Sequence, residues 1–163
     1  MRVVAGHGTS FVITRIGNLF SWGQDRCGVL GHGDKNLSLR VPRQVMALNR
    51  RKILEIATGM HHALAIDDEC KVWGWGKNCK GQCGLRFEND MVLTPTELPD
   101  FNVNQYPIQM SCGQEHNLFL VKALRKDGAT IYRAYAWGDW SRGQMGSGRI
   151  STRHTPQEIK VFE

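Results

Sequence analysis

The fold is decided by a stretch rich in glycine and tryptophan, "VWGWGKNCKGQCG" at residues 72–84. The pattern occurs twice more without a gap, as "LFSWGQDRCGVLG" at 19–31 and "AYAWGDWSRGQMG" at 134–146. In each copy a Trp-Gly pair is followed by a glycine six residues after the tryptophan and by another glycine three residues later. These positions are Trp22, Gly23, Gly28 and Gly31, then Trp75, Gly76, Gly81 and Gly84, then Trp137, Gly138, Gly143 and Gly146. The chain is therefore built from internal repeats.

Two further landmarks recur in step with this stretch. A glycine precedes an apolar run in each unit, and a proline follows each glycine-rich loop. They are Gly6, Gly59 and Gly113, and Pro42, Pro95 and Pro156. The repeat domain spans 1–163, with units at about 1–48, 49–103 and 104–163.

Each unit reads as four short strands separated by turns. In the second unit the strands are "ILEIAT", "HALAID", "KVWGWG" and "TPTEL", in which β-branched and aromatic residues alternate with small or polar ones. No segment has the periodicity of an amphipathic helix. Four-stranded units of about 50 residues are typical of propeller blades, so we predict an all-β fold of three four-stranded antiparallel blades, a partial β-propeller.

Composition favours an ordinary globular protein inside the cell. Hydrophobic residues make up 41% and charged residues 22% of the 163 residues. No apolar run approaches the roughly 20 residues of a membrane span, and the N-terminus lacks a signal-peptide pattern. The five cysteines are an odd number, which predicts reduced thiols in an intracellular protein, either cytoplasmic or nuclear.

The net charge of +6 is unevenly distributed. Residues 1–53 carry nine Lys/Arg and two Asp/Glu, residues 54–112 carry four and eight, and residues 113–163 carry eight and five. The basic first repeat suggests nucleic-acid or chromatin binding as an alternative function. Clusters such as "NRRK" at 49–52 are more often solvated loop charge, and no aromatic interleaving accompanies them.

The order of landmarks, and the stretches "WGKNCKGQCG" and "WGDWSRGQMG" in particular, resemble the regulator of chromosome condensation repeat family. The resemblance covers essentially the whole chain and implies part of a seven-bladed β-propeller. It also implies two uses. One is guanine-nucleotide exchange on the small GTPase Ran, for which the exchange factor lengthens one loop into a wedge. The other is a platform for protein partners.

All three loops of this chain keep the six-residue spacing, so the wedge is not visible. We therefore expect a non-catalytic protein–protein interaction module that serves as a scaffold or subunit in a larger assembly. Exchange on a Ran-type GTPase is the first alternative, and nucleic-acid binding is the second. No cofactor is expected.

The glycine-rich stretch does not predict a phosphate-binding loop. Lys77 is replaced by Gln24 and Asp139 in the other units, and no helix follows. The glycines instead favour positive φ and close backbone approach in a turn. Zinc is not expected, because Cys83 takes the position of Leu30 and Met145 and so reads as an apolar core residue.

A histidine recurs as well. His62 and His116 share one repeat position, which Thr9 fills in the first unit. A catalytic group need appear only once, so we interpret these histidines as polar contacts within each blade, satisfied by the backbone. No catalytic constellation stands out, and no enzyme activity is predicted. Recurrence also predicts that the three repeat tryptophans pack against the next blade.

Residues that differ between units are the candidates for partner binding. Trp140 lies on a predicted loop and is expected to be an exposed anchor. The third unit has eight extra residues between its glycine and its Trp, and Asp127-Gly128 predicts the turn of a longer hairpin. The candidates are Trp140, Arg142, Lys77 and Lys80 on the loops, and Arg125, Lys126 and Asp127 at the hairpin tip.

Three blades fall short of the four to eight with which propellers close. Two flanks of the array should therefore expose apolar blade faces that need covering. Three interpretations stay open: a longer propeller, self-association, or completion by blades of another chain.

Overall fold

The computed structural model describes residues 1–35, 37–86, 89–99, 105–125, 127–146 and 153–160. They form twelve strands and one 3-10 helix, Met46–Leu48, as the prediction of an all-β chain requires. The strands are β1 Arg2–Ala5, β2 Thr9–Ile13, β3 Leu19–Gln24, β4 Ser38–Gln44, β5 Ile53–Thr58, β6 His62–Asp67, β7 Val72–Lys77, β8 Met91–Glu97, β9 Gln105–Cys112, β10 His116–Leu124, β11 Thr130–Gly138 and β12 Arg153–Glu158. No helix in the described ranges has the length and apolar character needed to cross a membrane.

The strands form three separate four-stranded antiparallel sheets, β1 to β4, β5 to β8 and β9 to β12, each with its strands in sequence order. We refer to them as the first, second and third blades. In the second blade β5 and β6 have the predicted bounds, whereas β8 begins at Met91 rather than Thr94. The chain is thus a three-blade partial propeller, as predicted.

The third blade carries a longer hairpin than the other two. β10 and β11 have nine residues each, against five in β2 and six in β6. Their pairing runs from His116 opposite Gly138 to Leu124 opposite Thr130, and Gly128 takes φ +82° in the turn beyond. The prediction of an extended hairpin is confirmed.

The core lies between the blades. β6 is buried at all six positions because blades cover both faces of its sheet. By contrast, β2 alternates between buried and half-buried positions, because only one face of the first blade is covered. Stacking against neighbouring blades therefore determines how much of each sheet is buried.

The repeat tryptophans join neighbouring blades. Trp75 and Trp137 are fully buried. The indole N–H of Trp75 donates to the Val29 carbonyl at 2.8 Å, and that of Trp137 donates to the Gln82 carbonyl at 3.1 Å. Both bonds reach the preceding blade, so the prediction of packing against the next blade is wrong in direction. The rings point that way because their side of the sheet faces the previous repeat.

Two repeat glycines leave space for these rings. A Cβ atom on Gly31 would lie 3.0 Å from the Trp75 indole nitrogen, and one on Gly84 would lie 2.9 Å from that of Trp137. Both glycines also have positive φ, +77° and +74°. The prediction of positive φ holds for the nine glycines at the three recurring positions: Gly23, Gly28, Gly31, Gly76, Gly81, Gly84, Gly138, Gly143 and Gly146.

The recurring histidine connects blades through side chains. Nε2 of His62 donates to the Asn117 amide oxygen at 2.7 Å, and the Asn117 amide nitrogen donates to the Gln82 carbonyl at 2.7 Å. The prediction of a backbone-satisfied contact within one blade is therefore wrong for His62, because its partner is a side chain of the third blade. Gly59 leaves room for the ring, since a Cβ there would lie 2.2 Å from His62 Cε1. Gly113 stands in the same relation to His116, whereas Gly6 faces Thr9 and Thr58.

Substituting Gly84 should test the tryptophan contact. We expect Gly84→Ala to lower the free energy of unfolding by about 3 kcal/mol, through backbone strain and displacement of Trp137 and of Leu98, which the added Cβ would also meet. Gly146→Ala is the matched control, because Gly146 has the same turn conformation but a Cβ added there would meet nothing within 4 Å. It should cost only the strain, about 1 kcal/mol. Urea unfolding in dilute protein measures both, and equal losses would contradict the stacking role.

Burial of His62 should make stability depend on pH. Desolvation lowers the pKa of His62 from 6.5 to about 4, against the smaller effect of its bond to Asn117. The folded state binds a proton at His62 less well than the unfolded state does. The free energy of unfolding is therefore undiminished by His62 above pH 6.5, and it falls as the pH drops from 6.5 toward 4. The loss is about 3 kcal/mol, at about 1.4 kcal/mol per pKa unit.

The variant His62→Gln should therefore show a flatter fall in unfolding free energy across this pH range than the wild type. His7→Gln, at an exposed position, is the control and should follow the wild-type curve. Parallel curves for His62→Gln and the wild type would contradict the assignment.

Candidate protein-binding face

One end of the blades collects the glycine-rich turns. The turns 24–28, 77–81 and 139–143 follow the tryptophan strands, and they lie beside the connections 6–8, 59–61 and 113–115. One backbone hydrogen bond of 2.8 Å joins turn to connection in every blade. The amides of Gln24, Lys77 and Asp139 donate to the carbonyls of Gly8, His61 and Glu115. We call the surface formed by these six segments the loop face.

Contacts between blades make the loop face continuous. The Lys77 ammonium forms an ion pair with the Glu115 carboxylate of the third blade. The Met60 amide donates to the Gln114 carbonyl at 3.1 Å. At the other interface the rings of His7 and His61 meet edge to face, with centroids 5.8 Å apart. Loop-face residues of one blade are thus held in place by residues of the next blade.

Electrostatics fix which groups on the loop face are charged. The hydrogen bond to Glu115 raises the pKa of Lys77, which keeps the ammonium protonated. Burial, together with the nearby charge of Lys77, lowers the pKa of His61. His61 is therefore neutral at neutral pH, whereas the neighbouring Lys77 ammonium is charged.

The turns are braced by their own side chains. The amides of Lys80 and Arg142, which share a repeat position, each donate to the side-chain oxygen of a glutamine two residues on, Gln82 or Gln144, at 2.8 Å. Asn78 accepts the Cys83 amide at 3.0 Å. The cationic side chains at this position therefore start from a fixed backbone.

A groove of about 430 Å³ lies between the second and third blades on the loop face. Its lining consists of Lys80, Gln114, Glu115, His116, Asp139, Ser141, Arg142 and Gln144. Asp139 is engaged by the Ser141 hydroxyl at 2.9 Å and the Gln144 amide at 3.1 Å. Burial acts to raise the pKa of Asp139, but these hydrogen bonds outweigh it and lower the pKa.

The two cations that flank the groove are available to a ligand. Within the described ranges, neither Lys80 nor Arg142 forms an ion pair with an acidic side chain. Lys80 is half-buried and Arg142 is exposed. The groove can therefore offer charged donors to a carboxylate.

The structure brings some of the sequence candidates together and separates others. Lys77, Lys80 and Arg142 lie on the loop face. Arg125 and Asp127 lie at the far end of the long hairpin, roughly 30 Å away along nine residue pairs. Lys126 lies outside the described residues. The two groups of candidates cannot contact one small ligand.

The structure corrects the predicted exposure of Trp140. Its exposed fraction is 5%, so the prediction of an exposed anchor on the loop is wrong. The same repeat position holds Asp25 and Asn78, which are 2% and 1% exposed. This position points into the blade whatever residue fills it, and the polar residues in the other two repeats hid that fact.

Sequence reasoning missed Glu115, the partner of Lys77. The two residues are 38 positions apart and occupy different repeat positions, so neither spacing nor periodicity connects them. Only the alignment of the repeats could have indicated the contact. In each blade it places the connection before the β-strand of the recurring histidine beside the turn that follows the tryptophan.

The cysteines behave as side chains of the interior and the turns. All five are free thiols, and Cys83 is fully buried as predicted. Burial raises the pKa of Cys83 well above its usual range. Across the part of the chain that the structure describes, no group of three or more His, Cys, Asp or Glu residues could hold a metal ion.

Comparisons with known proteins agree with this architecture. The family model described as "Regulator of chromosome condensation (RCC1) repeat" matches residues 17–66 and 71–120. The chain is 30% identical to the ultraviolet-B receptor UVR8 of Arabidopsis thaliana, covering 98% of this chain and 34% of the receptor. It is 31% identical to the human probable E3 ubiquitin-protein ligase HERC4, covering 98% of this chain and 14% of that protein.

Among solved structures, Prp20p from Saccharomyces cerevisiae superposes with a TM-score of 0.80 at 22% identity, covering 98% of this chain and 38% of that one. At this identity the superposition shows the fold alone. The chain spans about a third or less of the length of these relatives. On the match of the repeat model, the chain belongs to the regulator of chromosome condensation (RCC1) repeat family.

Proposed function

We propose that the chain is a non-catalytic protein-binding module, a scaffold or subunit of a larger assembly, and that its loop face contacts an acidic segment of a partner. The observation that carries this proposal is the groove flanked by Lys80 and Arg142, two cations that form no ion pair with an acidic side chain among the described residues. Carboxylates on a partner would form ion pairs with them.

The carboxylates of the groove support binding rather than catalysis. Glu115 is paired with Lys77, and Asp139 accepts bonds from Ser141 and Gln144. A general base needs a carboxylate that can take up a proton from a substrate. Glu115 is instead held in an ion pair, and the hydrogen bonds that Asp139 accepts lower the pKa of that carboxyl.

The solved relatives support a protein as the ligand. Prp20p is described with binding properties to Gsp1p and histones, and yeast RCC1 (Prp20) is described as bound by Kap60. Each of these partners is a protein, and the blades that superpose with this chain belong to the same fold.

The test begins with a photo-reactive amino acid introduced at Ser141, on the loop face, or at Asp127, at the hairpin tip. Cross-linking in extracts of the source cells, followed by mass spectrometry, should identify a protein captured from Ser141. The dissociation constant for that purified protein should then rise at least tenfold in the variant Lys80→Glu/Arg142→Glu, because two attractive contacts become repulsive.

The matched control is Lys122→Glu/Arg125→Glu, which makes the same change in net charge on the long hairpin. Its dissociation constant should stay within threefold of wild type. Equal losses in the two double variants would show a nonspecific charge effect, and a partner captured only from Asp127 would move the binding site to the hairpin.

A second readout separates binding from exchange. Wild-type chain in excess should leave the release of a fluorescent nucleotide from a Ran-type GTPase unchanged. Acceleration that the loop-face variant abolishes would replace the binding function with nucleotide exchange.

A further inference from the structure

The glycine-rich turn of each blade carries a cation that is available on the loop face. Arg26 lies on the turn of the first blade, Lys80 on that of the second and Arg142 on that of the third. Arg26 and Arg142 are exposed, and Lys80 is half-buried. Within the described ranges none of the three forms an ion pair with an acidic side chain. We call these three residues the cation row.

The other charges of the loop face leave the cation row in excess. Lys77 and Glu115 are paired with each other. Asp139 accepts hydrogen bonds from two neighbouring side chains. Asp25 is 2% exposed and lies beneath the surface. The face therefore presents more positive than negative charge, which attracts an anionic ligand.

Stacking of the blades sets the distance between members of the cation row. The indole bonds of Trp75 and Trp137 hold each sheet against the preceding one, and sheets packed face to face lie about 10 Å apart. A ligand in the β conformation repeats its side chains on one face at about 6.7 Å, which does not match. A polyproline II helix has three residues per turn and rises about 3.1 Å per residue, so every third side chain lies on one face, about 9 Å from the last. This repeat matches the spacing of the blades.

We propose that the ligand is a polyproline II segment of a partner protein with an acidic residue at every third position, an assignment that rests on the protein-binding function proposed above. The segment lies across the blades, and three successive carboxylates form ion pairs with Arg26, Lys80 and Arg142. The site thereby extends from the groove to the turn of the first blade.

A side chain in the groove suits the backbone of such a segment. A polyproline II helix forms no internal hydrogen bonds, so its carbonyls can accept bonds from the protein. Gln114 is exposed and lines the groove with Lys80 and Arg142. Its side-chain amide donates to the Met60 sulfur at 3.4 Å, and a thioether is a weak acceptor. A ligand carbonyl would be a stronger acceptor for the same amide.

The loop face does not present the aromatic rings on which single-stranded nucleic acids stack. Its six segments are all described and contain one Trp, Tyr or Phe, which is Trp140 at 5% exposed. A peptide is therefore favoured over a nucleic acid. For the same reason the ligand is recognised through its carboxylates, rather than through proline rings held between aromatic side chains.

Two fluorescein-labelled peptides of equal composition and charge test the spacing. EPPEPPE has a glutamate at every third position, whereas PPEEEPP has three in succession, and the four prolines of each favour polyproline II. Fluorescence anisotropy with the full 163-residue chain gives both dissociation constants, at low ionic strength because salt screens exposed charges. EPPEPPE should bind at least about fivefold more tightly, since only its carboxylates reach all three cations.

The variant Arg26→Ala tests the member of the cation row outside the groove. It should weaken the binding of EPPEPPE about fivefold and leave that of PPEEEPP within about twofold. Arg15→Ala is the matched control, because Arg15 is an exposed arginine of the same blade, between β2 and β3 at the opposite end of the sheet. It should leave both dissociation constants within about twofold of wild type. Near-ultraviolet circular dichroism checks the fold, and Arg26→Gln replaces Arg26→Ala if that variant unfolds.

The outcomes separate the spacing from the protein-binding function. Equal affinities for the two peptides, both reduced in Lys80→Glu/Arg142→Glu, would overturn the polyproline II register and leave the loop-face function standing. Tighter binding of a short single-stranded DNA, or of a helical peptide with glutamate at every seventh position and a repeat of about 10.5 Å, would also overturn it. If neither peptide binds, the register fails, and the loop-face function fails with it only where Ser141 captures no partner in the cross-linking experiment.

Discussion

A propeller blade is a single sheet with apolar side chains on both faces, and it has no layer of its own to cover them. The bonds from Trp75 to Val29 and from Trp137 to Gln82 specify how the blades of this chain solve that problem. The ring supplies the buried area, the N–H fixes its direction, and a glycine in the facing turn leaves the space. Loss of any one of these would leave a sheet face in water or a buried donor unpaired.

This stacking also supports the loop face. The Gln82 carbonyl accepts bonds from Trp137 and Asn117, while its side-chain oxygen accepts the Lys80 amide. One residue thus links the interior of an interface to the position of a surface cation. Gln144 braces Arg142 with its side chain in the same way, and it also lines an apolar groove of about 560 Å³ beside Met145 and Ile159.

The repeats made much of the fold predictable. Fixed spacing between Trp, Gly and Pro gave the number of blades and the strand order, and Asp127-Gly128 gave the long hairpin. The exposure of Trp140 was mispredicted because the neighbours at its repeat position, Asp25 and Asn78, are polar yet buried. The contact of His62 with Asn117 was unpredictable from repetition, since Ser10 and Ala63 fill the position of Asn117 in the other units. Contacts between blades that occur only once leave no periodic trace.

The arrangement of strands in sequence order within each sheet has a consequence for how the chain folds. Every strand pairs with a neighbour that is close in sequence, so each blade closes only short loops and can form early. Cooperativity then passes along the array by nearest-neighbour contacts, as in a one-dimensional chain of coupled units. The second blade contacts a blade on each side within this chain. Its opening therefore requires the loss of two interfaces.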